Sequence, residues 1–369
     1  MNSKLRQELF ITALLGSLLL LMLVISPLLF VNWPDARQRL WQSLLVWALL
    51  WQQLWVNRYH NRSSGTTPLQ TSLGWANRLT LVRGGLIAAI AGFLWLPAPT
   101  GLPGFLPAIC YTLAALGDRC DGAFARRSGT TTLLGSRLDT SYDAIGLVIA
   151  PLLAIQYGKI LPSYLLASAA YYLFVFGIRW RHHRNLPVLP LPPSALRRTL
   201  AGAQMGFVAT ALWPPIQPQL SQITGIAFML PLLLGFCIDW LVVSARLNID
   251  SVNSACQQFA ALASQRLLPL LRLLLVAALW ASWRPHDVAH TTALEAGIWL
   301  TGLGVVGGIA GRSCAMALLL LLNFYPGYDL ASAAAVTTLF AAVGIIIFGT
   351  GRMSLWQRDG DVITRQDPA

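Results

Sequence analysis

Apolar runs of near-membrane length alternate with short polar breaks along most of this chain, and that alternation predicts its elements. The runs fall at approximately 9–31, 40–56, 79–97, 105–125, 134–156, 162–180, 199–213, 224–246, 267–283, 292–310, 313–324 and 331–349. Most approach the roughly 17–25 residues that a helix needs to cross a hydrocarbon core about 30 Å thick. Turn-forming clusters punctuate them: Pro97-Ala98-Pro99, Gly101-Leu102-Pro103-Gly104, Trp213-Pro214-Pro215 and Tyr325-Pro326-Gly327. The first run, Leu9 to Val31, exceeds the 7–15 apolar residues of a signal peptide and lacks an A-x-A-like exit, so it reads as a retained membrane helix. The pattern predicts an all-α polytopic membrane protein. It divides into a two-helix segment with a polar linker (1–70), a six-helix core (71–247), a polar linker (248–266) and about four final helices (267–369).

Composition agrees with a chain that lives largely outside water. Of its 369 residues 56% are hydrophobic and only 11% charged, against about 25% charged in soluble domains. The net charge of +12 comes from 26 basic residues, of which only Lys4 and Lys159 are lysines. The arginines sit mainly in short loops between apolar runs, which points to topology and anionic lipid headgroups rather than to nucleic acid. Threading the runs with the N-terminus inside leaves Arg37, Arg39, Lys159 and Arg284 in outer loops and gathers the other basic loops on the inner face. By the positive-inside rule both termini are expected in the cytoplasm. The five cysteines (Cys110, Cys120, Cys237, Cys256, Cys314) form no C-x-x-C pair and read as buried small hydrophobes.

Against this apolar background the acidic residues stand out. The chain has 14, and four of them, Asp118, Asp121, Asp139 and Asp143, fall within 26 positions near the inner ends of two adjacent predicted helices. An aspartate inside a membrane helix costs about 2.5–3.5 kcal/mol on insertion scales. Four that repel one another need cations. Asp118 and Asp121 are i, i+3 and Asp139 and Asp143 are i, i+4, so each pair shares one helix face, and the short connection 126–133 makes the helices antiparallel neighbours. Two facing carboxylate pairs make a hard, oxygen-only site suited to Mg²⁺ or Mn²⁺. Gly122 and Ala125 follow Asp118 on the same face, Gly135 removes bulk one turn before Asp139, and Arg126 closes the first helix, where a guanidinium suits a phosphate. A structural cation network or a cation pathway is the plainer use of four such aspartates.

The run Asp118-x-x-Asp121-Gly122-x-x-Ala125-Arg126, then eight residues, then Gly135-x-x-x-Asp139-x-x-x-Asp143 resembles the signature of the CDP-alcohol phosphotransferase family at every fixed position. Asn77-Arg78-Leu79-Thr80-Leu81-Val82-Arg83 looks like the segment that opens that family's first core helix, with Ala76 where the family often has proline. The resemblance covers about residues 71–247. It implies that Asp118, Asp121, Asp139 and Asp143 are metal ligands, for two ions, and that Asp143 is also the general base. It further implies that Asn77, Thr80, Gly122, Ala125, Arg126 and Gly135 lie about the nucleotide and its diphosphate. The expected reaction moves a substituted phosphoryl group, phosphatidyl being favoured, from a CDP-linked donor such as CDP-diacylglycerol to an alcohol, releasing CMP in phospholipid synthesis. The expected place is the cytoplasmic face of a membrane, a bacterial inner membrane by the family's habits. A non-enzymatic scaffold or cation transporter on the same fold is the rival reading.

Further features are secondary. The basic cluster Arg179, Arg181, His182, His183, Arg184, Arg197 and Arg198 suits lipid contact or a phosphate on a substrate, with Arg179, Arg181, Arg198 and Asp239 as candidate acceptor contacts; Asp239 equally suits pairing with an arginine. The ending Gly349-Thr350-Gly351-Arg352-x-Ser354-Leu355 carries a faint likeness to DoxX-type small membrane proteins. Gly302, Gly304, Gly307, Gly308 and Gly311 suit close packing of scaffold helices or a homodimer face.

Overall fold

The computed structural model describes residues 3–30, 35–128, 132–191, 194–283, 292–326 and 328–356, and side chains within them except at 23–30, 119–128 and 249–253. Among the described residues it is all helical. The helices are α1 (Ser3–Phe30), α2 (Ala36–Asn57), α3 (Gly74–Ala91), α4 (Leu106–Ser128), α5 (Leu133–Gln156), α6 (Leu165–His183) and α7 (Ala195–Ala211). They continue as α8 (Pro218–Val243), α9 (Ile249–Leu262), α10 (Leu268–Ser282), α11 (Thr292–Gly307), α12 (Gly311–Phe324) and α13 (Ala333–Phe348). Each of the twelve apolar runs corresponds to one of them. The stretch 248–266, expected as a polar linker, instead holds α9 and a π-helical turn, Ala263–Leu267, that leads into α10. Among the described residues, four helical stretches are long and apolar enough to cross a membrane: Ser3–Met22, Leu133–Gln156, Pro218–Val243 and Ser254–Ser282. The chain is a polytopic membrane protein.

It forms two compact units. The first comprises residues 1–168 with 205–216, the second 169–204 with 217–369. In the first unit α3 is the central helix, packed against α1, α2, α4 and α5. Its buried positions include Asn77, Thr80, Leu81, Arg83, Gly84, Ile87 and Ala88 through Ala91. α5 turns a helical-period stripe inward, Leu134, Leu138, Tyr142, Gly146, Ile149 and Leu153. α4 does the same with Ala108, Tyr111 and Ala114. Tyr142 lies against Gly84, where a Cβ would come within 2.7 Å of its ring, and its hydroxyl donates to the Leu50 carbonyl at 3.1 Å. The buried phenol therefore has its partner, and α2, α3 and α5 meet at one point.

Polar contacts anchor this unit. Glu8 accepts from the Arg78 guanidinium (2.7 Å) and the Leu73 amide (3.0 Å), tying α1 to the start of α3. On the far side, Lys159 donates to the carbonyls of Trp213 and Pro214 (3.4 and 2.9 Å) and to that of Ile216.

In the second unit α13 lies against α8, α10 and α12, and α11 packs on α10 and α12. Leu275, Leu279, Ile298, Val305, Leu318, Leu322, Leu339, Ala342 and Ile345 form its core. The Gly-Ala-rich composition read as a close-packing signal is used that way. A Cβ at Gly304 would come within 2.7 Å of the Cys314 sulfur, and one at Gly311 within 2.1 Å of Thr350.

Candidate metal and phosphate site

The site is assembled by α3, α4 and α5 of the first unit. α4 carries Asp118 one turn beyond Ala114, at the end of its buried stripe, so the carboxylate emerges beside the core. α5 places Asp139 and Asp143 one position after Leu138 and Tyr142, on the edge of its own stripe. Their carboxylate oxygens and that of Asp118 lie within 4.8 Å of one another. Into this cluster α3 sends Arg83, whose side chain is 1% exposed, while Asp118, Asp139 and Asp143 remain 28%, 45% and 28% exposed.

The guanidinium bridges all three acids. Its Nη1 donates to Asp139 Oδ1 at 2.7 Å; its Nη2 lies 2.9 Å from Asp118 Oδ1 and also donates to Asp143 Oδ1. A fork of fixed donors is the side chain best matched to several carboxylates at once. Space for its stem comes from Gly117, where a Cβ would sit 2.9 Å from Arg83 Cγ. A buried guanidinium is tolerated only when paired, and here three acids on two neighbouring helices pair it.

The fit to a divalent cation follows from charge and donor type. Three ionised carboxylates around one guanidinium leave a formal excess of two negative charges, all on oxygen and all open to solvent on one side. Oxygen-only donors of that charge suit Mg²⁺ or Mn²⁺.

The N-terminal turn of α5 is fixed by a second polar group. Thr132 caps the helix, its Oγ1 accepting from the Gly135 amide at 3.0 Å. Buried Asn77 donates to that same Oγ1 (3.2 Å) and to the Leu73 carbonyl (2.7 Å). Gly135 permits this approach, since a Cβ there would stand 2.5 Å from Asn77 Oδ1. Buried Thr80 turns its hydroxyl onto the Ala76 carbonyl at 3.1 Å. The loop before α3 joins in: the Leu133 amide donates to the Arg62 carbonyl, and Asn61 Nδ2 to that of Ser72.

Of the residues singled out from sequence, Asp118, Asp139 and Asp143 come together, and Asn77 and Gly135 meet beside them. Asp121, Gly122, Ala125 and Arg126 belong to α4, and their side chains lie outside the described residues. The candidate acceptor contacts belong to the second unit. There Arg181 donates to the Pro187 carbonyl (2.8 Å) and the Ser244 carbonyl (3.1 Å), fastening the strap after α6. Asp239 lies 3.4 Å from Arg197, the ion-pair use expected of it. Arg179 and Arg198 are exposed.

Arg83 is the residue that sequence reasoning left out of the site. A signal existed: Asn77, Thr80 and Arg83 recur every three residues along α3, a polar stripe on a helix whose other residues, apart from Arg78, are apolar or glycine.

A comparison with protein-family models matches residues 73–237 to the CDP-alcohol phosphatidyltransferase model, spanning α3 through most of α8. Neither curated proteins nor solved structures give a match.

Proposed function

Since the chain belongs, over residues 73–237, to the CDP-alcohol phosphatidyltransferases, we propose that its aspartate cluster carries out metal-dependent transfer of a phosphatidyl group from CDP-diacylglycerol to an alcohol, with release of CMP. The family is one of phosphotransferases that act on CDP-alcohols, and the chain is an enzyme of that kind. The carrying observation is the convergence of Asp118, Asp139 and Asp143 on one point, within 4.8 Å.

Asp118, Asp121, Asp139 and Asp143 would hold the divalent ions, which would supply positive charge against the negative charge that develops on the departing CMP. Asp143 accepts the proton of the attacking hydroxyl as the new phosphoester bond forms. Arg83 holds Asp139 and Asp143 in register across successive turns of α5, so that the base and its neighbour keep a fixed separation. Gly122, Ala125 and Arg126 follow on α4 as nucleotide contacts, and Asn77 and Gly135 act one step back by fixing the α5 N-terminus. The distribution of basic residues supports an inner-face site with both termini cytoplasmic, and phospholipid synthesis as the setting.

The test is CMP release by purified protein in mixed micelles containing CDP-diacylglycerol, or with soluble CDP-alcohols, across a panel of acceptors. Activity that requires Mg²⁺ or Mn²⁺ and vanishes in Asp143→Asn is expected. Retained metal binding with no CMP from any CDP-donor would overturn the reading in favour of a cation-binding scaffold.

A further inference from the structure

The family match begins at residue 73, and the residues from Asn61 to Pro68 read in sequence as a polar linker leading to it. The structure uses that stretch differently. Asn61, a polar residue that a free linker would leave in water, is 0% exposed. Its Nδ2 donates to the Ser72 carbonyl at 2.8 Å, and its own carbonyl accepts from the Gln70 amide at 2.8 Å. These two bonds close residues 61–72 into a compact loop whose ends meet, the build of a fixed loop rather than of a spacer. Asn61 Oδ1 lies 3.4 Å from Asn77 Nδ2, so the closed end of the loop abuts the polar group that fixes the α5 N-terminus.

The same segment reaches α5 at three successive levels. The Arg62 carbonyl accepts from the Leu133 amide at 2.9 Å, one of the first-turn N–H groups that a helix cannot satisfy by itself. One turn on, Arg137 Nη1 donates to Asn57 Oδ1 at 3.2 Å. The third level is the Tyr142 hydroxyl on the Leu50 carbonyl. Asp139 lies between the second and third levels, and Asp143 directly follows the third. α3 is held as well, by Glu8 on the Arg78 guanidinium and the Leu73 amide. Glu8, Leu50, Asn57, Asn61 and Arg62 thus fix the two helices that present Arg83, Asp139 and Asp143, all from outside the matched region.

We propose that the segment before residue 73 sets the cation preference of the aspartate cluster, with Asn61 as its central positioning residue. The inference rests on the reading of the cluster as a metal site and not on the transfer reaction. Mg²⁺ demands near-octahedral oxygens at about 2.0–2.1 Å, whereas Ca²⁺ accepts a looser shell at about 2.3–2.6 Å. A frame that lets Asp139 and Asp143 drift from Asp118 by a few tenths of an ångström therefore weakens Mg²⁺ more than Ca²⁺. Three fixed levels on α5 and a clasped α3 restrict that drift, so the intact segment favours the smaller ion.

The experiment follows Mn²⁺ binding to the full-length protein in micelles by loss of the free-ion EPR signal, with Mg²⁺ and Ca²⁺ as competitors. Wild type is expected to bind Mn²⁺ and to release it to Mg²⁺ at lower concentration than to Ca²⁺. In Asn61→Ala the advantage of Mg²⁺ over Ca²⁺ should fall about tenfold, the lower end of what outer-shell partners contribute to metal affinity. Glu8→Gln keeps an acceptor for the Leu73 amide, loses the charge facing Arg78, and should shift the ratio in the same direction. Lys159→Gln, which removes an anchor at the far end of α5, should lower the melting temperature and leave the ratio at its wild-type value. An unchanged ratio in Asn61→Ala would overturn the proposal; if that variant does not fold, an unchanged ratio in Glu8→Gln would do so. An equal shift in Lys159→Gln, a wild-type preference for Ca²⁺, or no Mn²⁺ binding by wild type would overturn it too. The expected ratios without CMP release from any CDP-donor would remove the transferase reading and leave this one standing.

Discussion

At the scale of single residues, the site is a problem in balancing charge. Asp118, Asp139 and Asp143 share one guanidinium, and each should fail differently when changed. Asp143→Asn keeps size and hydrogen bonding but removes the proton acceptor, so CMP release should fall by about 10²–10⁴-fold, while Mg²⁺ still raises the melting temperature. Asp139→Asn should lose activity together with part of that metal-induced shift. Arg83→Gln gives a sharper test. Without the guanidinium the carboxylates repel one another with no internal cation, so the metal-free protein should melt below wild type and gain more from added Mg²⁺ than wild type does. Arg83→Lys restores charge but not the fork, and should recover stability more fully than turnover. If Arg83→Gln matched wild type in both melting temperature and Mg²⁺ response, the guanidinium would have no part in organising the acids.

The elements show which parts of the fold could be read from sequence and which could not. Each of the twelve apolar runs became a helix because hydrophobic length is a local property, and lipid demands that backbone polar groups be satisfied within the segment. α9 escaped because Ser254, Gln257 and Gln258 look like linker composition, although Cys256, Phe259 and Ala263 recur at helical spacing along it. The spacing of the aspartates foretold their shared faces. It could not foretell Arg83, which lies 35 positions before Asp118 and reaches it only through the packing of α3 on α4. Gly135 is the reverse case: its position near the site was legible, but its contact is with Asn77 and the Thr132 cap. Gly135→Ala should therefore destabilise the protein by about 1–3 kcal/mol through overpacking, and Thr132→Val by about 1 kcal/mol through loss of the cap. Both would appear as lower melting temperatures. Because the two act on the same turn, their combined effect should fall short of additivity.

For the whole molecule the open variable is orientation, and the charge distribution makes a definite claim about it. A positive residue is retained on the side where it is synthesised, so the basic loops at 58–62, at 179–198 and near Arg246 should all face the cytoplasm. The outer side is expected to keep Arg37, Arg39, Lys159 and Arg284, and the structure shows two of these, Arg39 and Lys159, already engaged. Arg39 is buried with its guanidinium over the Phe93 ring, and Lys159 donates to three backbone carbonyls. Charges occupied in this way contribute less to orientation than free loop charges, so the expected asymmetry is larger than a simple count gives. A variant lacking the five native cysteines, carrying single cysteines at exposed loop positions, tests this with a membrane-impermeant thiol reagent on intact cells. Ser163→Cys, in the loop between α5 and α6, should be labelled from outside. Ser63→Cys and Asn185→Cys should be labelled only after the cells are opened. The reverse pattern would place the aspartate cluster, which lies at the same ends of α4 and α5 as the loop holding Ser63, on the outer face. There the cytoplasmic supply of CDP-linked donors could not reach it, and the proposed reaction would fail along with the topology.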